Sequence, residues 1–417
     1  MRIAFLTTEF TTEPNFAGGL AQYLGRVTRG LVERGHHVEV FVTADACETL
    51  KDGGVIVHRV KPKKWLPLRC GNCALAAIGR PRLGRLQLAY STALGLSRAF
   101  NRRASMAGFD IVQAASWLGT GYFVSSNPWA PVIVRASSFE PLLAEYRGQD
   151  PSLDEKLYRR FEVAAMRRAA AVYAPSNFLA GEIRRIAGIE SHVVTPPYCS
   201  SDGATADTGE DPLGDWSDYA VFFGKVAKYK GAGLLADAIA PLLCHDKTLR
   251  IAFAGPIEND AEAGRLLTLA ESLPESVRYL GTLKHADLMR IVKRARCVIL
   301  PSLMDNLPNT CFEAMARQKV VIGPDGVSFD ELIVDGKSGF LFRRGDPVSL
   351  RQTIMKAWRL DDEKLRAIGR EAHAKIQQMS PAATLRDLER FYTRVIEQTT
   401  KRWLACERRP AKQCSLP

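Results

Sequence analysis

The sequence predicts an α/β protein of two domains, each a parallel sheet covered by helices. Three observations carry this. The chain has 417 residues, more than one hydrophobic core usually serves. Strand-like and helix-like patterns alternate along both halves, the order expected of parallel sheets with helical crossovers. Residues 200–218 are poor in large apolar side chains and rich in Gly, Asp and Ser. They read as a linker between the halves.

The first half opens with a short apolar run at residues 3–7. A loop through Pro14 and Ala17-Gly18-Gly19 leads to a helical pattern over residues 20–34, with Leu20, Tyr23, Leu24, Val27 and Leu31 on one face. Gly35 fits a helix stop, and residues 38–42 form the next strand. This strand, glycine loop, helix, strand order is a βαβ unit of the Rossmann-like kind. Residues 110–113, 131–135 and 171–174 read as further strands, with Ser176 as the cap of a following helix. In the second half, strands are expected at residues 219–223, 249–254, 277–280, 297–300 and 320–322. Helices are expected at 286–295 and 311–317. Residues 348–403 read as nearly continuous helix, broken at Ser380-Pro381.

Composition narrows the class. An apolar content of 46% and a charged content of 24% suit a packed globular chain and argue against general disorder. No stretch is apolar enough for a transmembrane helix. The opening lacks the longer apolar region and small-residue cleavage site of a secretory signal. The nine cysteines are scattered and odd in number, which suits reduced thiols. Together these place the protein in the cytoplasm. Cys70 and Cys73 form a Cys-x-x-Cys pair without a second pair or nearby histidines, so packing is preferred to metal binding. His36-His37 fits a turn, and His285 a cap or surface position.

Two loops in the second half carry residues suited to a phosphorylated ligand. Pro301 to Met315 follows a buried strand and opens a helix, so its loop lies at the carboxyl edge of a parallel sheet. Amides at the helix start, near Asn309 and Thr310, suit a phosphate. Glu313, one turn in, suits the two hydroxyls of a ribose. Asp305 and Asn306 lie in the loop, where they reach sugar hydroxyls. A plain helix-dipole role fits the two acids as well. The second loop, Gly224-Lys225-Val226-Ala227-Lys228-Tyr229-Lys230-Gly231, follows the first strand of the same half. Lys225 and Lys230 are spaced to meet a diphosphate, and the glycines permit a tight turn.

These segments resemble the family 4 retaining glycosyltransferases of the GT-B fold. That family carries a Gly-Arg…Lys-Gly segment and a Glu-x7-Glu segment; here they read Gly224-Lys225…Lys230-Gly231 and Asp305…Glu313. Ala17-Gly18-Gly19, Arg34-Gly35-His36 and Asp335-Gly336-Lys337-Ser338-Gly339-Phe340 also look like the family. The resemblance implies two Rossmann-like domains facing a cleft. Their expected bounds are residues 1–203 on the acceptor side and 204–382 on the donor side, with a crossover helix and tail at 383–417. It implies a hexose moved, with retention, from a nucleotide sugar to an acceptor glycan or glycolipid. Glu313 would bind the donor ribose, and Lys225 and Lys230 the diphosphate. Asp305 would meet the transferred sugar, with amides near Asn309 and Thr310 in support, and Gly18 and Gly19 would let a loop close over the donor. Lys230 and Asp305 are the residues assigned to catalysis.

Three departures from the family pattern matter. Lys225 stands where arginine is usual, and Asp305 where glutamate is usual; both keep their charge. The stretch Asp110 to Trp117 lacks the histidines many members have, which leaves Ser116 and Trp117 as acceptor-side candidates. There is no Asp-x-Asp motif, so no metal and no separate cofactor are expected, and the lysines and helix start neutralise the diphosphate. Two other classes stay open: a sugar-nucleotide epimerase of the same fold, and a non-catalytic nucleotide-sugar-binding protein. No nucleic-acid partner is indicated.

The net charge of +12 is unevenly placed. Residues 53–109 hold 11 Lys and Arg and no Asp or Glu, leaving +1 for the rest of the chain. The segment also carries apolar runs, at residues 65–68 and 86–96. That pairing suits an anionic membrane surface, at roughly 1 kcal/mol per basic residue near it, and hence a lipid-linked acceptor on the inner membrane face. The expected outcome in vesicle sedimentation is binding to anionic but not neutral vesicles. It should weaken as salt rises from about 0.1 M to about 1 M; equal binding to both kinds of vesicle contradicts this reading.

Overall fold

The computed structural model describes residues 1–14, 19–63, 70–73, 83–124, 130–147, 150–198, 212–214, 216–258 and 261–407. The chain divides into two compact units. The first comprises Met1–Pro175, Leu179–Pro197 and Pro381–Pro417; the second comprises Ser176–Phe178 and Tyr198–Ser380. Each is a predominantly parallel α/β sheet, as the alternation of patterns predicts, and the long last helix Pro381–Glu407 packs in the first unit.

The first unit's strands are β1 (Arg2–Thr7), β2 (His37–Thr43), β3 (Glu48–Asp52), β4 (Val55–Val60), β5 (Ile111–Ala115), β6 (Val132–Arg135), β7 (Ala171–Ala174) and β8 (His192–Val193). Their order is β3-β4-β2-β1-β5-β6-β7-β8. Every pairing is parallel except β3 with β4. β1, β2 and β5 are almost wholly buried, as strands with helices on both faces must be. The β3–β4 hairpin was missing from the sequence expectation. β3 reads Glu-Thr-Leu-Lys-Asp, an exposed edge strand with little apolar signal.

A buried polar chain ties the last helix into this unit. Gln113, on β5, accepts a hydrogen bond of 2.7 Å from Tyr173 of β7 and another from Tyr392 of the last helix. The Tyr173 hydroxyl also lies 2.9 Å from that of Tyr23, on the helix Gly19–Glu33. Leu385, Leu388, Phe391 and Val395 of the last helix complete the same core. Arg34 and His36 both reach Glu389, at 2.6 and 2.8 Å. His36 therefore pins the last helix, a role its place in a turn did not suggest.

The second unit's strands are β9 (Ala220–Phe223), β10 (Ile251–Ala254), β11 (Val277–Tyr279), β12 (Cys297–Ile299), β13 (Val320–Pro324) and β14 (Phe340–Phe342). They run all parallel in the order β11-β10-β9-β12-β13-β14. Two expectations need correction here. The segment read as a linker contributes Leu213 and Trp216 to this unit's core, both essentially inaccessible; the rest of residues 199–211 lies outside the described residues. The long helical tract also breaks a second time. Asp346 caps the helix Pro347–Trp358, and Asp361 caps Asp362–Gln377 by accepting from the Lys364 amide at 2.8 Å. Just ahead of the helix Asn177–Ala187, the Ser176 hydroxyl donates to the Asn306 carbonyl at 2.5 Å, and Glu331 takes the Asn177 and Phe178 amides, each at 2.9 Å.

The basic segment is less free than its composition suggests. Arg59 pairs with Glu13 and Glu48, Arg85 with Glu140 and Glu155, and Arg103 with Glu39. All these acids come from outside residues 53–109, so a segment without acids is still locally compensated. Lys61, Lys63, Arg98 and Arg102 remain exposed; Lys64, Arg69, Arg80, Arg82 and the apolar run at 65–68 lie outside the described residues. The run at 86–96 mostly faces inward through Ala89, Ala93 and Leu96, leaving Leu88 exposed. Among the described residues no helix is long and apolar enough to cross a membrane.

Glu39, on β2, is a fully buried carboxylate held by an arginine and two histidines. Arg103 donates to it twice, at 2.8 and 2.9 Å, and His58 and His37 reach it at 2.8 and 3.0 Å. Burial pushes its carboxyl up, but the hydrogen bonds from His58, Arg103 and His37 outweigh this and hold it far below the usual carboxylate range. The carboxyl thus titrates lower in the folded than in the unfolded chain, where it titrates near about 4.3. Its stabilisation is complete above that pH and is lost as pH falls below it. Glu39→Gln should destabilise the first unit by about 1–3 kcal/mol at neutral pH, because it removes the buried charge that accepts the Arg103, His58 and His37 hydrogen bonds. Denaturant titrations at pH 7 and pH 4 should show the gap between wild type and variant narrowing in acid.

Candidate active site

In an open parallel sheet, ligands bind outside the carboxyl ends of the strands where the strand order reverses. In the second unit that point lies between β9 and β12. The two loops singled out from the sequence leave these two strands. Gly224 follows β9 directly, and Pro301 lies two residues beyond Ile299, the end of β12.

The loops are fastened to each other by backbone. The single turn Lys228–Lys230 ends at Gly231, whose φ of +78° is in the left-handed region. A Cβ there would sit 2.0 Å from the Pro301 carbonyl oxygen, so only glycine fits. The Tyr229 carbonyl accepts from the Leu303 and Met304 amides at 2.9 and 3.3 Å. This lock delivers Lys230 to the 301–305 loop, where its ammonium donates to the Asp305 carboxylate. Asp305 is held from the other side, its carbonyl accepting from the Ser328 hydroxyl at 2.9 Å. Both charged groups are partly buried, at 25% and 12% side-chain exposure, which strengthens their attraction over that of a surface pair.

The helix after the loop is Asn309–Ala316, starting two residues before the sequence expectation. Pro308 precedes it and supplies no side-chain cap, so the first amides are not satisfied by a cap in the ordinary way. Cys311, Phe312, Ala314 and Met315 bury one face, while Asn309 is exposed and Thr310 and Glu313 are half-buried. Gly224 faces Thr310: a Cβ there would lie 3.6 Å from the threonine methyl. The start of this helix and the end of β9 are therefore neighbours. Lys225 is more exposed and pairs with Glu258 at 3.2 Å, and the Tyr229 hydroxyl is 3.4 Å from the same carboxylate.

Glu258 was not foreseen. Its loop enters through an isolated parallel bridge between Val226 and Ile257, and Gly255-Pro256 after β10 is its only sequence signal. The contacts thus join Lys230 to Asp305 and bring Thr310 beside Gly224, with Lys225 turned toward Glu258; Asn306 lies in the same loop as Asp305, and Asn309 and Glu313 on the same helix as Thr310.

Two family profiles match the chain. The profile described as "Glycosyl transferases group 1" matches residues 217–359, and the "Glycosyl transferase 4-like domain" profile matches residues 18–199. The chain belongs to the family 4 glycosyltransferases.

Relatives of this glycosyltransferase are distant. EpsD of Bacillus subtilis is 27% identical over 167 residues, 40% of this chain and only 43% of its own length. A D-inositol 3-phosphate glycosyltransferase of Jonesia denitrificans is 23% identical over 406 residues, 91% of each chain. Among solved structures, the sucrose-phosphate synthase of Thermosynechococcus elongatus superposes with a TM-score of 0.72 at 16% identity, covering 95% of this chain and 100% of its own. Anabaena HepE, solved in complex with UDP, gives 0.64 at 18% identity, covering 94% of this chain and 100% of its own. The fold is GT-B, and the enzyme is a nucleotide-sugar glycosyltransferase of a retaining family.

The glycosyltransferase's first unit has its own reversal of strand order, between β1 and β5. Gly19 opens the helix after β1; Gly18 lies outside the described residues. Ser116 and Trp117 follow β5. Ser116 is fully buried and its hydroxyl donates to the Ser138 carbonyl at 2.8 Å. Trp117 packs edge-on to Tyr158, with ring centroids 6.1 Å apart.

The Gly231 lock generates a direct test. Gly231→Ala combines a left-handed φ with a backbone overlap, and should cost about 2–4 kcal/mol in the second unit. Gly264→Ala, in a helix where a Cβ meets open space, should be neutral or stabilising by up to about 1 kcal/mol. Denaturant unfolding of the two variants measures both.

Proposed function

We propose that this enzyme moves a hexose, with retention, from a nucleoside-diphosphate sugar to an acceptor glycan or glycolipid, without a metal ion. The observation that carries this reading is the convergence of a lysine turn and an uncapped helix start at the reversal point between β9 and β12. Both offer positive charge where a diphosphate leaving group develops negative charge.

Each residue then has a task. Lys230 and the amides near Asn309 and Thr310 meet the diphosphate, with Lys225 supporting as a point charge. Glu313, one turn inside the helix, binds the ribose. Lys230 and Asp305 hold each other in the structure, so an arriving phosphate competes for the lysine and releases the aspartate carboxylate to the sugar hydroxyls. Asn306 sits beside it in the loop. Gly18 and Gly19 give the first unit's loop the backbone freedom to approach the donor, and Ser116 and Trp117 stand on the acceptor side. UDP, the ligand of the HepE structure, is the first nucleotide to try, and the exposed lysines and Leu88 keep an anionic membrane surface as a partner.

Donor hydrolysis and transfer from a panel of nucleotide sugars test this. Lys230→Ala should lower kcat by about 100- to 1000-fold, the usual effect of removing one stabilising donor from a developing anion, while the chain stays folded at the assay temperature. Activity should persist in excess chelator. Wild-type turnover in Lys230→Ala, or strict dependence on added magnesium or manganese, would contradict the assignment.

A further inference from the structure

The first unit carries a second concavity, on the β2 side of its β1–β5 reversal point. Its volume is about 610 Å³, within the range of small-molecule sites. It lies at the carboxyl ends of β1, β2 and β4, and the threonines Thr8, Thr12 and Thr43 contribute to its wall. Its charged lining is Glu9, Glu13, Asp45 and Arg59.

The one cation in that lining is already committed. Arg59 donates to Glu13 at 2.9 Å, to Glu48, and to the Thr12 carbonyl at 2.9 Å. Thr12 in turn donates to Glu13 at 3.0 Å. Lys61 and Lys63 flank Pro62 but are exposed and do not line the cavity. Glu9 and Asp45 are left without a cation among the described residues.

Glu9 is the more telling of the two. Its backbone is pinned at both ends by the Thr7 hydroxyl, which accepts from the Glu9 amide at 3.2 Å and donates to its carbonyl at 3.0 Å. Its side-chain oxygen Oε2 is buried without a hydrogen-bond partner, as is the Thr8 hydroxyl beside it. A buried acceptor left unmatched is costly, and burial pushes this carboxyl up. A ligand that donates hydrogen bonds satisfies these oxygens; one that brings negative charge does not.

We infer that this cavity is a subsite for a sugar unit of the acceptor that bears an ammonium group, held by Glu9 with help from Asp45, and that it rejects phosphorylated sugars. The inference rests on the transferase reading and adds the chemical class of the acceptor.

The test measures binding to the full chain at pH 7 and low salt by ligand-observed NMR. The probes are methyl glucosaminide, methyl glucoside and glucose 6-phosphate. Methyl glucosaminide should bind best, methyl glucoside more weakly, and glucose 6-phosphate not detectably. Glu9→Gln removes the charge-assisted bond and should weaken the glucosaminide about tenfold, with methyl glucoside little changed. Asp45→Asn, at an exposed position, should weaken it about two- to threefold; this keeps the inference testable if Glu9→Gln does not fold. Glucose 6-phosphate binding as well as the glucosaminide, no glucosaminide binding at tens of millimolar, or glucosaminide binding indifferent to both substitutions overturns the inference. A parallel UDP titration separates the two readings. UDP bound by wild type and Glu9→Gln alike leaves the donor site standing whatever the sugars do, whereas no UDP binding counts against the donor site itself.

Discussion

The α-carbon of Gly231 and the carbonyl of Pro301 lie so close that no side chain fits between them. This contact fixes the loop after β9 against the loop after β12. Two strands that are neighbours in the sheet but far apart in sequence thereby present their carboxyl-end loops as one surface. The salt bridge between Lys230 and Asp305, and the approach of Thr310 to Gly224, follow from that registration. Two long flexible side chains would otherwise lose rotamer freedom to meet; here the backbone has done most of the positioning.

Much of this was legible beforehand. The alternation of patterns identified two parallel sheets, and strand-end position picked out the loops at Gly224 and Pro301. Polar groups placed by long-range packing were not legible. Glu258 follows a glycine and proline with no motif, and meets Lys225 only because Val226 bridges Ile257. Trp216 sits in a stretch whose neighbours are Gly, Asp and Ser, and average composition hid one fully buried side chain. β3 is charged because it is an edge strand, so periodicity had little to detect.

Charge counted along the chain was also a poor guide to charge in space. The acid-free residues 53–109 look like an unbalanced cationic stripe, yet Arg59, Arg85 and Arg103 each meet carboxylates supplied by other elements. Glu39 shows the same from the acid's side. It lies on a buried strand where an isolated charge would be expelled, and is kept ionised by partners from β4 and from the helix Gly84–Ala104. Linear charge runs measure supply; the fold decides what remains to face solvent.

The tyrosine and glutamine chain under the last helix has a bearing on how the polypeptide matures. Gln113 and Tyr392 are 279 residues apart in sequence, and the core that includes Leu385 to Val395 also holds β1 and the helix Gly19–Glu33. While the chain emerges from the ribosome, the second unit has all of its strands before the first unit's final helix has been made. The N-terminal sheet must therefore wait, with an apolar flank uncovered, through the synthesis of an entire other unit. The segment translated first completes its packing last, and this interval is when the nascent chain is most dependent on chaperones that shield apolar surface.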